Sequence, residues 1–229
     1  MKSEEFAFFM GVDVQTRRRC SYLVLDNSHK STDQGWLEGN STESICRHLV
    51  QIINRIEGNR IGCVAVGIDS PRLPLKSPRG HFWDGGRQRW RSRRSGEQGY
   101  GRHCEVVLKA LNIANPQWTS ARENCPDWMI LGFALFSCLG DRKTVFEVFP
   151  TASYNLLKHR KSPEICINFS NFAFGPKDMI DACVSAATVM EYVQGSGCEV
   201  GGGDGLGSII LPTPLPIDDN HPVLHWPPE

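Results

Sequence analysis

Two apolar runs in this 229-residue chain end in the same way, and that ending restricts what the chain can fold into. Phe6-Ala-Phe-Phe-Met-Gly-Val-Asp13 and Cys63-Val-Ala-Val-Gly-Ile-Asp69 each read as a strand closed by Gly-x-Asp. The second run, rich in Val and small residues, suits a strand covered on both faces of a sheet. A carboxylate ending such a strand is costly unless a cation or a hydrogen-bond donor meets it. Side chains alternate along a strand, so Asp13 shares a face with Phe9 and Gly11, and Asp69 with Cys63, Ala65 and Gly67. Small residues beside a carboxylate leave room for a ligand or for a closely packed helix.

The remaining periodicity places these strands in one sheet. Arg18 to Leu25 reads as a second strand after a short polar turn, and Gln34 to Glu38 as a weak third. Two short connections predict an antiparallel meander. Asn40-Ser-Thr42 supplies an N-cap, and Ile45, Leu49, Ile52, Ile53 and Ile56 line one helix face that Gly58 is expected to end. Helices are predicted over Cys104 to Ile113 and over Pro126 to Leu139, with a fifth strand from Lys143 to Phe149. Pro150 opens a short helix, and Gly175-Pro176 opens a long one reaching about Gln194, with Met179, Ala182, Cys183, Ala186, Val189, Met190 and Val193 on its apolar side. Gly195 onward reads as loop, with a short strand at Ser208 to Leu211. A crossover through a helix makes the fourth strand parallel to its neighbour. If that neighbour is the first strand, Asp13 and Asp69 meet at the edge where open α/β sheets place ligands. The expected fold is α/β, a mixed five-stranded sheet with helices on both faces. It forms one domain over 1–212, with a basic insertion at about 70–103 and a Pro-rich tail at 213–229. The tail is expected to be an extended arm on the surface or on a partner, through which the chain could oligomerise.

Formal net charge is zero, so no overall field steers a polyanion, and any such effect must be local. No apolar stretch is long enough to span a membrane, and the start of the chain carries no secretory pattern. The nine cysteines contain no C-x-x-C pair, which fits reduced thiols in a cytoplasmic protein better than a disulfide framework or a zinc site.

The candidate chemistry is oxygen-rich. Glu147 interrupts the apolar run Thr144-Val-Phe-Glu-Val-Phe149, and Asp178 and Asp181 lie one turn apart on the last long helix, in line with Ser185. Asp13, Asp69, Glu147 and Asp181 are the catalytic candidates; Asp13, Asp69, Asp178 and Asp181 are the metal candidates. Mg²⁺ or Mn²⁺ takes such ligands and keeps several waters. Two ions about 3.5–4 Å apart could activate a water and stabilise a phosphodiester leaving oxygen. Each acid has a plainer reading: Asp13 and Asp69 as turn residues, and Asp178 as a helix N-terminal acid. A structural Glu147 requires a buried basic partner such as an arginine.

Ser70 to His103 holds nine basic residues against Asp84 and Glu97, with aromatic residues interleaved. Arg72, Arg79, Arg87, Arg89, Trp90, Arg91, Arg93, Arg94 and Arg102 are candidate nucleic-acid contacts, because arginine meets phosphate and aromatic rings stack on bases. The plainer reading is a solvated loop. Gly201-Gly-Gly lacks the Gly-Lys-Ser/Thr of a P-loop, and the seven histidines show no zinc spacing.

Gly11-Val-Asp13, Gly67-Ile-Asp-Ser-Pro71, Arg102-x-x-Glu105, Glu147-Val-Phe-Pro150, Asp178-x-x-Asp-Ala182 and Gly207-Ser-Ile-Ile-Leu-Pro212 occur in this order. Together they resemble an uncharacterised domain-of-unknown-function family of predicted RNase H-like nucleases, over about residues 8 to 212. The resemblance implies an RNase H-like fold and matches Asp13, Asp69, Glu147 and Asp181 to the acidic positions of that family. Asp178 with Asp181 is also similar to the paired helical acids of Holliday-junction resolvases. The arginine-dense loop and the Pro-rich tail lie outside the resemblance. The expected activity is therefore a metal-dependent nuclease. The alternatives are an actin-like or sugar-kinase-like nucleotide-binding protein, or a nucleic-acid-binding module without catalysis.

Overall fold

The computed structural model describes residues 6–59, 63–140, 142, 144–157 and 176–228. Five strands form the central sheet: β1 (Phe6–Asp13), β2 (Ser21–Asp26), β3 (Ser31–Trp36), β4 (Cys63–Asp69) and, after a two-stranded hairpin, β7 (Val145–Glu147). Their order is β3-β2-β1-β4-β7. β1 pairs antiparallel with β2 and parallel with β4, and β4 pairs parallel with β7. The meander and the crossover are both as expected from the sequence. β3 begins three residues earlier than its weak apolar signal indicated.

The alternation of side chains builds two cores, one on each face. Phe8, Met10 and Val12 of β1, with Val64, Val66 and Ile68 of β4, pack against helix α1 (Thr42–Asn59) and helix α3 (Asp127–Leu139). The α1 stripe Leu49, Ile52, Ile53 and Ile56 is the face anticipated, but the helix continues through Gly58 to Asn59. On the opposite face, Phe9, Leu23, Leu25 and Ala65 pack against helix α5 (Pro176–Val193) through Met179, Ala182, Ala186, Val189 and Met190. The molecule is thus α/β, with helices on both faces of a mixed sheet.

A third core gathers helix α2 (His103–Ala110), helix α4 (Pro150–Leu157) and the hairpin of β8 (Cys198–Gly201) with β9 (Ser208–Leu211). β8 forms within a segment the sequence reads as loop. The Pro-rich tail lies along the surface, one of the two placements expected, and is pinned there at Val223. Val223 is fully buried in this third core, and the Trp90 indole N–H donates to the Pro222 carbonyl at 2.9 Å. Most of the basic insertion is ordered around a second hairpin, β5 (His81–Asp84) with β6 (Arg89–Ser92). The described cysteines are all free thiols. No helix among the described residues is long and apolar enough to cross a membrane.

Candidate active site

Asp13 and Asp69 are register partners at the C-terminal ends of β1 and β4, and Gly11 and Gly67 are partners two residues earlier. Both glycines lie under α5. A Cβ on Gly11 would sit 1.9 Å from the Ala182 carbonyl oxygen, and one on Gly67 would sit 2.6 Å from a Val189 methyl. The missing side chains let the helix backbone rest on the sheet. That close approach suspends the first turns of α5, with Asp178 and Asp181, over the two strand-terminal aspartates.

The electrostatics record this crowding. Burial is the largest influence on Asp13 and, with the charges of Asp181 and Asp178, raises it to about 6 despite a lowering hydrogen bond from Gln15. Burial likewise drives Asp69 well above the usual carboxylate range, helped by Asp13, Asp181 and Glu147. Lys177 works in the opposite direction at both residues without cancelling the effect. Asp13, Asp69 and Asp181 therefore form one mutually repelling group.

Asp13, Asp181 and Asp178 are each anchored. The Gln15 amide donates to Asp13 Oδ2. The Tyr154 hydroxyl donates to Asp181 Oδ1 at 3.0 Å, and Lys177 Nζ lies 3.7 Å from Asp181 Oδ2. Asp178 pairs with Arg18 at 3.1 Å, and its main-chain carbonyl accepts from Ser21 Oγ at 2.7 Å, tying the start of α5 to β2. One turn beyond Asp181, Ser185 Oγ is buried without a hydrogen-bond partner among the described residues. Held this way, no three His, Cys, Asp or Glu side chains among the described residues are positioned to enclose a metal ion. The oxygen donors of Asp13, Asp69 and Asp181 are of the kind that hard dications take.

Glu147 stands apart from this group. It pairs in register with Ile68, and alternation puts it with Val145 on the α1/α3 side of the sheet. Its carboxylate grips the fully buried Arg102: Nη1 donates to Oε2 at 2.8 Å and Nη2 donates to Oε1. The Arg72 main-chain N–H donates to Glu147 Oε2 at 2.8 Å. Arg102 Nε donates to Glu105 Oε1 at 2.9 Å, and Glu105 also accepts from the N–H and hydroxyl of Thr119. Here is the buried arginine that a structural Glu147 requires. Burial opposes the Arg102 charge, but Cys104 with the Glu147 and Glu105 carboxylates outweighs it and holds the guanidinium above its ordinary pKa.

The arginine candidates also divide. Arg102 is internal, and Arg72 donates to the Val145 carbonyl. Arg79 stacks on Phe82 at 4.4 Å and Trp118 at 5.1 Å, and burial lowers it to about 10. Arg91 is held by Glu97, and Trp90 packs against Trp83, Trp226 and His103. Arg87, Arg89, Arg93 and Arg94 remain exposed. The hairpin is two-sided because its strands alternate. Trp83 and Trp90 face the tail, whereas Phe82, Arg91, Asp84 and Arg89 occupy the other side.

A cleft of about 680 Å³ opens at the C-terminal edge of β1, β4 and β7, with Asp69 on its wall. The β1–β2 turn, the loop after α2 and the start of α3 enclose it, contributing Gln15, Asn115, Gln117 and Trp128. Sequence reading singled out neither these residues nor Tyr154. Gln15 was accessible from its place two residues after Asp13. Tyr154 carries no signal until α4 is set beside α5.

Comparison with protein-family models, curated proteins and solved structures gives no significant match.

Proposed function

We propose that the chain is a divalent-metal-dependent nuclease of RNase H-like fold, hydrolysing nucleic-acid phosphodiester bonds at Asp13, Asp69 and Asp181. The observation that carries this reading is the in-register pairing of two strand-terminal aspartates beneath an acid-bearing helix, with Asp69 on the wall of an open cleft. The strand order, a meander followed by two parallel strands, is the one an RNase H-like reading expects. Neighbouring carboxylates raised together, one of them lining a cleft, are a signature of sites that handle charge.

Asp13 and Asp69 would hold Mg²⁺ or Mn²⁺, with Asp181 joining from α5. Such an ion supplies positive charge to the phosphate and activates a water. Gln15 orients Asp13, and Tyr154 with Lys177 orients Asp181. Asp178 serves the site by fixing α5 to β2, and Glu147 by bracing the cleft floor through Arg102. The exposed arginines of the β5–β6 hairpin would contact substrate phosphates.

Labelled single- and double-stranded oligonucleotides, incubated with Mg²⁺, Mn²⁺ or a chelator, test this. The wild-type protein should cleave only with metal. D13N and D69N, folded by circular dichroism, should each be slower by about 100-fold or more. Absence of metal-dependent cleavage, or undiminished cleavage by both variants, ends the reading.

A further inference from the structure

The cleft beside Asp69 has a lining that the acidic group does not explain. Trp128 and Phe149 supply aromatic surface. Gln15, Asn115 and Gln117 supply amides, and Arg17 stands in the β1–β2 turn. The charges at the floor are committed to one another, since Arg102 is bound by Glu147 and Glu105. The cleft is thus not a basic channel. Binding within it must come from stacking and amide hydrogen bonds rather than from neutralising a row of phosphates.

Stacking surface plus amides is the chemistry that reads a nucleobase: aromatic rings accept any base face, and Asn or Gln can donate to and accept from a base edge. A volume of about 680 Å³ lies in the range of small-ligand pockets. A base paired within a duplex keeps its faces stacked and its pairing edge occupied. Only an unpaired or extruded base offers both to a pocket.

We propose that this cleft receives one unpaired nucleotide, stacked on Trp128 and met at its edge by Asn115 and Gln117, with the adjoining phosphodiester lying at Asp69. The inference deepens the nuclease reading and rests on it for the placement of the phosphate. It assigns the substrate class as single-stranded, bulged or junction nucleic acid rather than uninterrupted duplex. The exposed arginines of the β5–β6 hairpin give salt-dependent, structure-blind attraction, whereas the cleft gives discrimination that salt barely affects.

The test is fluorescence anisotropy in chelator, so that no cleavage occurs. The full-length protein is titrated into three labelled DNAs: a single strand, a blunt duplex, and the same duplex with one bulged nucleotide. The single strand and the bulge should bind about tenfold tighter than the blunt duplex, the scale of one aromatic–base stack. That ratio should hold from low to moderate salt while all three affinities fall. W128A should lose the preference and leave duplex binding unchanged. W128F should restore most of it, and an unchanged melting temperature excludes misfolding. Equal binding of all three DNAs, no binding of any, or a preference indifferent to W128A overturns the proposal. Failure of the nuclease reading looks different: the preference persists, and no cleavage follows when Mg²⁺ or Mn²⁺ is added.

Discussion

Asp13 and Asp69 face one another across β1 and β4, each two residues beyond a glycine that seats the same helix. The arrangement concentrates negative charge at the cost of stability. Asp13 is raised to about 6 from an ordinary 3.8, so the folded protein binds that proton more tightly than the unfolded chain does. The linkage sign follows: stability is highest with Asp13 protonated, falls as pH rises from about 4 through about 6, and then levels. The penalty near neutral pH is on the order of 3 kcal/mol. D13N should therefore melt several degrees above wild type at pH 7.5 and close to it at pH 4. D69N should shift in the same direction, because Asp69 is raised for the same reasons. Thermal melts across that range check this. Equal melting temperatures at pH 7.5 would show that the two carboxylates do not strain the fold.

Glu147 tests the division between holding the fold and holding a metal. Removing one partner from a buried charge network typically costs 3–5 kcal/mol. E147Q should lose about 3 kcal/mol, because it weakens the grip on a fully buried Arg102. R102M should lose more, since it leaves both Glu147 and Glu105 uncompensated. Denaturant unfolding gives these values. If the metal reading holds, Mn²⁺ should raise the melting temperature of the wild type, and that rise should survive in E147Q and vanish in D69N. A metal response lost equally in both variants would return Glu147 to the metal-binding set.

The two Gly-x-Asp strands, the meander, the crossover and the α5 stripe were legible in the sequence because each follows from side-chain period and short connections. The pairing of Asp13 with Asp69 followed from them. What escaped was contact between distant segments. Arg102 and Glu147 are separated by 45 positions, and nothing local marks them as partners. The β5–β6 hairpin was hidden by its arginines, although Asp84-Gly-Gly between alternating residues was an available turn signal. Proline content in the tail reports extension but not where it packs, and only the third core shows that Val223 fills a place in it.

The hairpin makes a prediction that needs no metal. Arg87, Arg89, Arg93 and Arg94 are the exposed arginines of the basic segment, while the other arginine candidates are committed to protein partners or aromatic rings. If all four touch phosphates of a single strand, replacing them with alanine should flatten the slope of log affinity against log salt by about 3. Melting should be little changed, because surface substitutions usually stay within about 0.5 kcal/mol. Binding titrations over a range of salt concentrations decide the matter. An unaltered slope would make the hairpin charge a solvated face only.

Gly11 links the fold to the site most directly. A methyl group there would lie 1.9 Å from the Ala182 carbonyl oxygen and 2.5 Å from the Ala186 nitrogen, and backbone atoms cannot rotate aside. G11A must therefore lift α5 from the sheet, opening the core that Phe9, Ala182 and Ala186 share. Overpacking costs about 1–3 kcal/mol when side chains can adjust, so about 3 kcal/mol or more is expected here. G58A is the control: nothing lies within 4 Å of a Cβ at Gly58 inside α1, and helix propensity alone should stabilise by up to about 1 kcal/mol. Lifting α5 also carries Asp181 away from Asp13 and Asp69. At a temperature where G11A remains folded, its Mn²⁺-induced stabilisation should fall well below that of wild type, while G58A keeps the full response. A G11A protein with wild-type stability and an intact metal response would mean that α5 does not seat on the glycines as described.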